Sequence, residues 1–152
     1  MIMAGYKLTE EIIKLSTSKK WDEAKLEWIL ETVYIADEPE TCLCGKYPIK
    51  ELCIIINKTN HKEATVGNCC VKKFLGLPSD KIFQAIKRVS TNNEKLLNKD
   101  AIKYAFQKGW INEWEKNFYY NVCKKRNTTL TRKQLEKKKE INIKLSINIR
   151  RC

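Results

Sequence analysis

The chain has 152 residues, 43% hydrophobic and 32% charged, an ordinary composition for a soluble protein and enough apolar material for one compact unit. Lys and Arg outnumber Asp and Glu by 30 to 18, and the surplus is uneven, with −4 over residues 1 to 41 and +16 over residues 42 to 152. No run of about 18 apolar residues occurs and Met1 to Leu15 lacks the apolar core of a signal segment, so neither a membrane span nor secretion by that route is expected.

In chain order, Thr9-Glu10-Glu11 can cap a short helix through Leu15, and Ser16-Thr17-Ser18 interrupts it. A stronger helix is predicted next. Leu26, Ile29, Leu30 and Val33 form one apolar stripe that Trp21, Ala24 and Trp28 widen, and Asp37-Glu38-Pro39-Glu40 ends the segment. Residues 1–40 thus read as N-terminal helices.

From Glu51 to Asn57 a short β-branched run argues for a buried strand, Lys58 to Lys62 for a polar turn, and Ala64 to Val66 for its partner. Cys69 to Leu75 then reads as a short helix stopped by Gly76-Leu77-Pro78. Ser79-Asp80 caps a helix to about Val89, Lys99 to Gln107 forms another, and Trp110 to Cys123 an aromatic one. After a helix-forming stretch from Thr131 to Glu140, apolar residues alternate from Ile141 to Ile149, which predicts a terminal strand over 141–149. Ile141, Leu145 and Ile149 also suit one face of a continued helix.

Five of the seven cysteines lie between Cys42 and Cys70. Without a signal segment, such clustering points to metal binding in a reducing compartment, cytoplasm or nucleus, rather than to disulfides. Zinc takes four tetrahedral ligands, often from a tight turn and a helix start. Cys42-Leu43-Cys44-Gly45 supplies the turn and Cys70 the helix start, where backbone N–H groups favour a thiolate. The expected ligands of Zn2+ are Cys42, Cys44, Cys70 and, from the strand, Cys53. His61 in the hairpin turn is another way to complete the set, and Cys53 and Cys69 can also be plain buried residues. Thiol exchange by Cys42 and Cys44 is a further use of such spacing.

The span also resembles a group of small proteins of phages and large DNA viruses that carry Cys-x-Cys-Gly, an Ile-x-Asn strand and Val-Gly-x-x-Cys-Val before a Phe. The matching elements are Cys42-Leu43-Cys44-Gly45, Ile55-Ile56-Asn57 and Val66-Gly67-Asn68-Cys69-Cys70-Val71 with Phe74. This resemblance selects Cys70 of the adjacent pair, and implies a metal module and a viral source without implying a reaction.

An enzyme is not expected. The His-x-Glu and Pro-Cys-x-x-Cys segments of zinc deaminases, Gly-rich phosphate loops and nucleophile elbows are all missing, and His61 is the single histidine. Lys124 to Arg151 holds 11 Lys and Arg against 2 Asp and Glu. Lys124, Lys125, Arg126, Arg132, Lys133, Lys137, Lys138 and Lys139 are the candidate contacts to DNA or RNA, with a solvated helix face as the plainer reading. Trp110, Trp114 and Phe118 are expected in the core, leaving Tyr119 and Tyr120 as the more exposed aromatics.

Together these features predict a single α+β domain, mainly helical. A zinc knuckle, hairpin and helix of treble-clef type occupies residues 41–76, a basic helical region 79–140, and the strand 141–149. The expected function is non-enzymatic zinc and nucleic-acid binding. The alternative is a zinc-stabilised structural protein, a virion component or host-factor binder, with a protein partner or second copy paired on the terminal strand.

Overall fold

Trp28 to Ile35 is dense in aromatic and β-branched residues, and in the computed structural model, which describes residues 4–151, this segment opens a strand instead of continuing a helix. Helix α1 (Ala4–Leu15) begins earlier than Thr9, and α2 (Trp21–Ala24) lasts one turn before a 3-10 turn over Lys25–Glu27. Strand β1 (Trp28–Glu40) follows. The predicted helix through Val33 is therefore wrong. A bulge between Leu30 and Thr32 shifts the alternation, so that the apolar residues mimic helical spacing while pairing antiparallel with β2 (Ile49–Asn57). Cross-strand partners such as Val33 and Cys53 outweigh the helical period.

The hairpin is as expected. Strand β2 pairs antiparallel with β3 (Glu63–Gly67), Cys53 opposite Val66 and Leu52 opposite Gly67. Strand order in the sheet is β3-β2-β1-β4, β4 being the residue pair Arg150–Arg151. Two polar bridges close the open end of β1: the Trp28 indole N–H donates to Ser16 Oγ at 2.8 Å, and Glu27 accepts from the Thr17 and Ser18 amides and the Asn57 side chain. Those three donors hold the Glu27 carboxyl down to about 2, the Asn57 bond counting most.

After β3 the chain turns into α3 (Asn68–Cys70), continues as a π-helical turn over Val71–Leu75, and then enters α4 (Ser79–Thr91), α5 (Lys99–Gln107), α6 (Glu113–Val122) and α7 (Arg132–Asn148). Helix α7 corrects the expected strand over 141–149. Ile141 and Leu145 are buried on one face, Ile143 and Ile147 are exposed, and a Thr131/Gln134 capping box starts the helix. The alternation was a helix with apolar residues on both faces.

Contacts divide the chain at Asp80 and Lys81 into two compact units, and Arg151 groups with the first. The first unit is the sheet with α1 and α3, its core including Leu8, Ile12, Trp28, Val33, Leu52, Ile55 and Val66. The second is helical, its core including Phe83, Ile86, Ile102, Tyr119, Ile141 and Leu145. Among the described residues no helix is long and apolar enough to cross a membrane.

The aromatic expectation is reversed for Trp114 and Tyr119 of α6, while Phe118 and Tyr120 are both half-buried. Glu115, Tyr119 and Val122 form the buried face, and Trp114, 62% exposed, stacks on Phe118 with centroids 5.3 Å apart. Tyr119 is buried because its hydroxyl has partners inside: it accepts from the Leu97 amide at 2.9 Å and donates to Asn142 Oδ1 at 2.8 Å.

Candidate metal centre and basic face

The turn after β1 is built by two backbone bonds, Gly45 N–H to the Cys42 carbonyl at 2.8 Å and Cys42 N–H to the Lys46 carbonyl at 3.0 Å. Gly45 sits at φ +93°, open to glycine but strained for other residues. The curl points the Cys42 sulfur at backbone N–H groups, accepting from Cys44 at 3.4 Å and from Gly67, at the end of β3, at 3.2 Å. Gly67 is closely packed here: a Cβ would stand 3.0 Å from the Ile49 Cδ1 methyl and 3.6 Å, ordinary contact, from the Cys42 sulfur.

Cys70 comes in from α3, its sulfur 3.5 Å from that of Cys44. The helix start is tied down by side chains: Ser79 Oγ donates to Asn68 Oδ1 at 2.7 Å, and Asn68 Nδ2 donates to Glu51 at 3.1 Å and to Asp80 at 3.3 Å. Cys42, Cys44 and Cys70 are all buried, and their sulfurs lie within 4.8 Å of one another. The Cys44–Cys70 separation exceeds a disulfide bond, and it and the 4.8 Å limit on the others accommodate the sulfur–sulfur distance of about 3.8 Å around a tetrahedral zinc with Zn–S near 2.3 Å.

Electrostatics favours deprotonation at one member of the group. The bond from Cys70 holds the Cys42 thiol well below the usual thiol range, burial working against it and the Gly67 and Cys44 N–H groups assisting. Cys70 is pushed up by giving that bond and by its burial beside the Cys42 thiolate. A divalent cation matches such a site, since it replaces the shared proton and neutralises several thiolates at once.

Cys53 does not join the group. It is buried in β2 opposite Val33 and Val66, and burial pushes its thiol up to about 12, as for a core cysteine. His61 lies in the hairpin turn at φ +61°, exposed and outside the cluster. Cys69 is exposed, Cys123 belongs to the second unit, and Cys152 lies outside the described residues. A pocket of about 260 Å³ reaches Cys42 and Cys70, with Glu51, Lys46 and Cys69 also on its wall.

Sequence spacing identified the three converging cysteines but missed their positioning partners. The Gly67 amide, Asn68 and Ser79 act through a hydrogen-bond pattern that becomes visible once the hairpin brings the turn and helix together. The Val66-Gly67-Asn68 segment was the available signal.

The eight basic candidates separate into two groups. Lys138 is 1% exposed, its ammonium donating to the Glu94 carbonyl at 2.9 Å and Asn127 Oδ1 at 2.6 Å. Desolvation lowers its pKa. Lys137 pairs with Glu115 at 3.0 Å and with Glu140, Lys139 with Glu94 at 3.0 Å, and Arg132 with Glu136 at 3.2 Å. Lys124, Lys125, Arg126 and Lys133 are exposed. Lys124, Lys125 and Arg126 line an open groove of about 870 Å³ together with Arg88 and Lys95, which sequence reading had not singled out.

Comparison of the chain with protein-family models, with curated proteins and with solved structures found no match.

Proposed function

We propose that this is a non-enzymatic, zinc-binding protein that binds nucleic acid through its second unit. Zn2+ held by Cys42, Cys44 and Cys70 ties the turn after β1, the β2–β3 hairpin and α3 into a treble-clef-like module. The observation that carries the metal reading is the convergence of three buried sulfurs from two chain segments 26 residues apart. Of the side chains placed to supply a fourth sulfur, Cys69 is favoured over Cys53. It stands exposed on the wall of the pocket that reaches Cys42 and Cys70, whereas Cys53 is packed between strand neighbours. Thiolates of this kind persist in a reducing compartment, the setting this reading requires.

Charge distribution supports the nucleic-acid reading. Lys81–Arg150 contains 18 Lys and Arg against 6 Asp and Glu, a net +12 equal to the charge of the whole chain. The first unit balances to zero. A field concentrated in this way favours a polyanion over a neutral partner. Pairing with a protein partner on the terminal strand loses its basis, because that segment is helical.

Elemental analysis of protein purified without added metal is expected to find about one zinc per chain, with thiols released by chelator and denaturant together. The Co2+-substituted protein should show thiolate charge-transfer bands that weaken in Cys69→Ser and persist in Cys53→Ser. Metal-free protein whose melting ignores both chelator and Cys42→Ser would overturn the metal reading, and failure to retain any oligonucleotide at low salt would overturn the partner.

A further inference from the structure

We propose that the groove between the α4–α5 loop and the α6–α7 loop is a preformed track for consecutive phosphates of a nucleic-acid strand, with Arg88, Lys95, Lys124, Lys125 and Arg126 on its walls and Lys138 at its floor. This rests on the nucleic-acid reading above and assigns it to a site different from the lysine row of α7. The groove's one acidic side chain, Glu94, already has a carboxylate oxygen 3.0 Å from Lys139, so little negative charge faces the cavity.

The site is built rather than incidental. Every carbonyl from Asn93 to Leu96 is held by a side chain of the same unit: Asn93 and Lys95 by Asn142 Nδ2 at 2.8 and 2.9 Å, Glu94 by Lys138, and Leu96 by Arg88 Nε at 3.0 Å. The Leu97 amide is held by Tyr119. A loop fixed in this way loses little conformational freedom on binding, which removes one cost of association. Lys138, among the groove's lining residues but 1% exposed, bonds the Glu94 carbonyl and Asn127 Oδ1 and so ties together the two loops that form the walls.

Lining chemistry selects the ligand class. Apolar side chains are few, Leu96 and Leu97 with Cys123, so an acidic peptide would find little to anchor its own side chains. No aromatic ring lines the groove, so stacking of splayed bases is not provided. What remains is charge in a row, the requirement of a phosphodiester backbone read without sequence preference.

The test is fluorescence anisotropy on the full chain with a labelled duplex and its single strand, comparing wild type with Lys124→Gln/Lys125→Gln/Arg126→Gln. A charge-matched control, Lys99→Gln/Lys103→Gln/Lys133→Gln, removes three exposed cations of the same unit outside the groove. Each phosphate contact adds about 0.7–0.9 to the salt slope and about fivefold at ~0.1 M salt, so the groove variant should lose on the order of 100-fold and flatten the slope by about 2. The control should stay within about threefold.

Equal losses in the two variants, with circular dichroism of both unchanged, would replace the groove by diffuse attraction and leave the nucleic-acid reading standing. No binding by wild type would remove both. Competition by polyglutamate as effective as by nucleic acid of equal charge would also overturn the phosphate assignment.

Discussion

The backbone N–H of Gly67 donates to the sulfur of Cys42 across 25 residues, at 3.2 Å, joining the end of β3 to the turn after β1. This bond orients one proposed ligand before any metal is present. Gly67→Ala would place a Cβ 3.0 Å from Ile49 Cδ1 and 3.6 Å from that sulfur. The end of the Ile49 side chain must give by a few tenths of an ångström, so the variant is expected to lose up to about 1 kcal/mol of stability and to bind zinc more weakly in a competition titration with a chromogenic chelator. Unchanged affinity would mean that the approach of Gly67 does not position Cys42.

Cysteine substitutions should divide by location. Cys44→Ser is expected to abolish stoichiometric zinc, because it removes one of three converging sulfurs. Cys53→Ser should keep the metal while losing about 1–3 kcal/mol in urea unfolding, since it buries a hydroxyl among strand neighbours. Loss of zinc in both would return Cys53 to the ligand set.

Lys138→Met would keep the aliphatic stem but leave Asn127 Oδ1 without its donor and the Glu94 carbonyl with the bond from Asn127 Nδ2 alone. About 1–3 kcal/mol of destabilisation is expected by chemical denaturation, against under about 0.5 kcal/mol for exposed Lys133→Met. Equal costs would show that Lys138 is a surface charge.

Glu115 gives a pH signature. Burial alone would raise its carboxyl, but bonds from Lys144 at 2.8 Å, the Asn112 amide at 3.1 Å and Lys137 hold it down to about 2, against an ordinary 4.5. A carboxyl depressed on folding contributes stability that is present above its unfolded pKa and is lost as pH falls through the folded value. Glu115→Gln should therefore be less stable than wild type by about 1–3 kcal/mol at neutral pH. The gap should narrow below about 4.5 and close near 2. A gap that is the same at pH 3 as at pH 7 would exclude the ionic contribution.

Local signals served where geometry is local. The hairpin, the stop at Gly76, the start of α4 and the span of α5 follow from residues within a turn of one another, and each is where the sequence reading put it or within a few residues. Two segments failed for one shared reason. Trp28 to Val33 and Ile141 to Ile149 each carry apolar patterns that fit both periods, and pairing across space decided between them: β2 beside β1 for the first, a buried Ile141/Leu145 face on α7 for the second.

The candidate sites divide along the same line. Spacing marked Cys42, Cys44 and Cys70, because a turn and a helix start are local devices for presenting sulfur. It also added Cys53, which its strand partners place outside the three-sulfur group, and it took Lys137 to Lys139 as one basic surface. Helical geometry sends adjacent side chains about 100° apart, so one of these three lysines entered the interior and the other two met carboxylates. Composition alone determined that the chain is basic and cysteine-clustered. Only the tertiary structure decided which cations are spent on internal acceptors and which face a groove, because that depends on residues such as Glu94, Asn127 and Glu115 that approach from other parts of the chain.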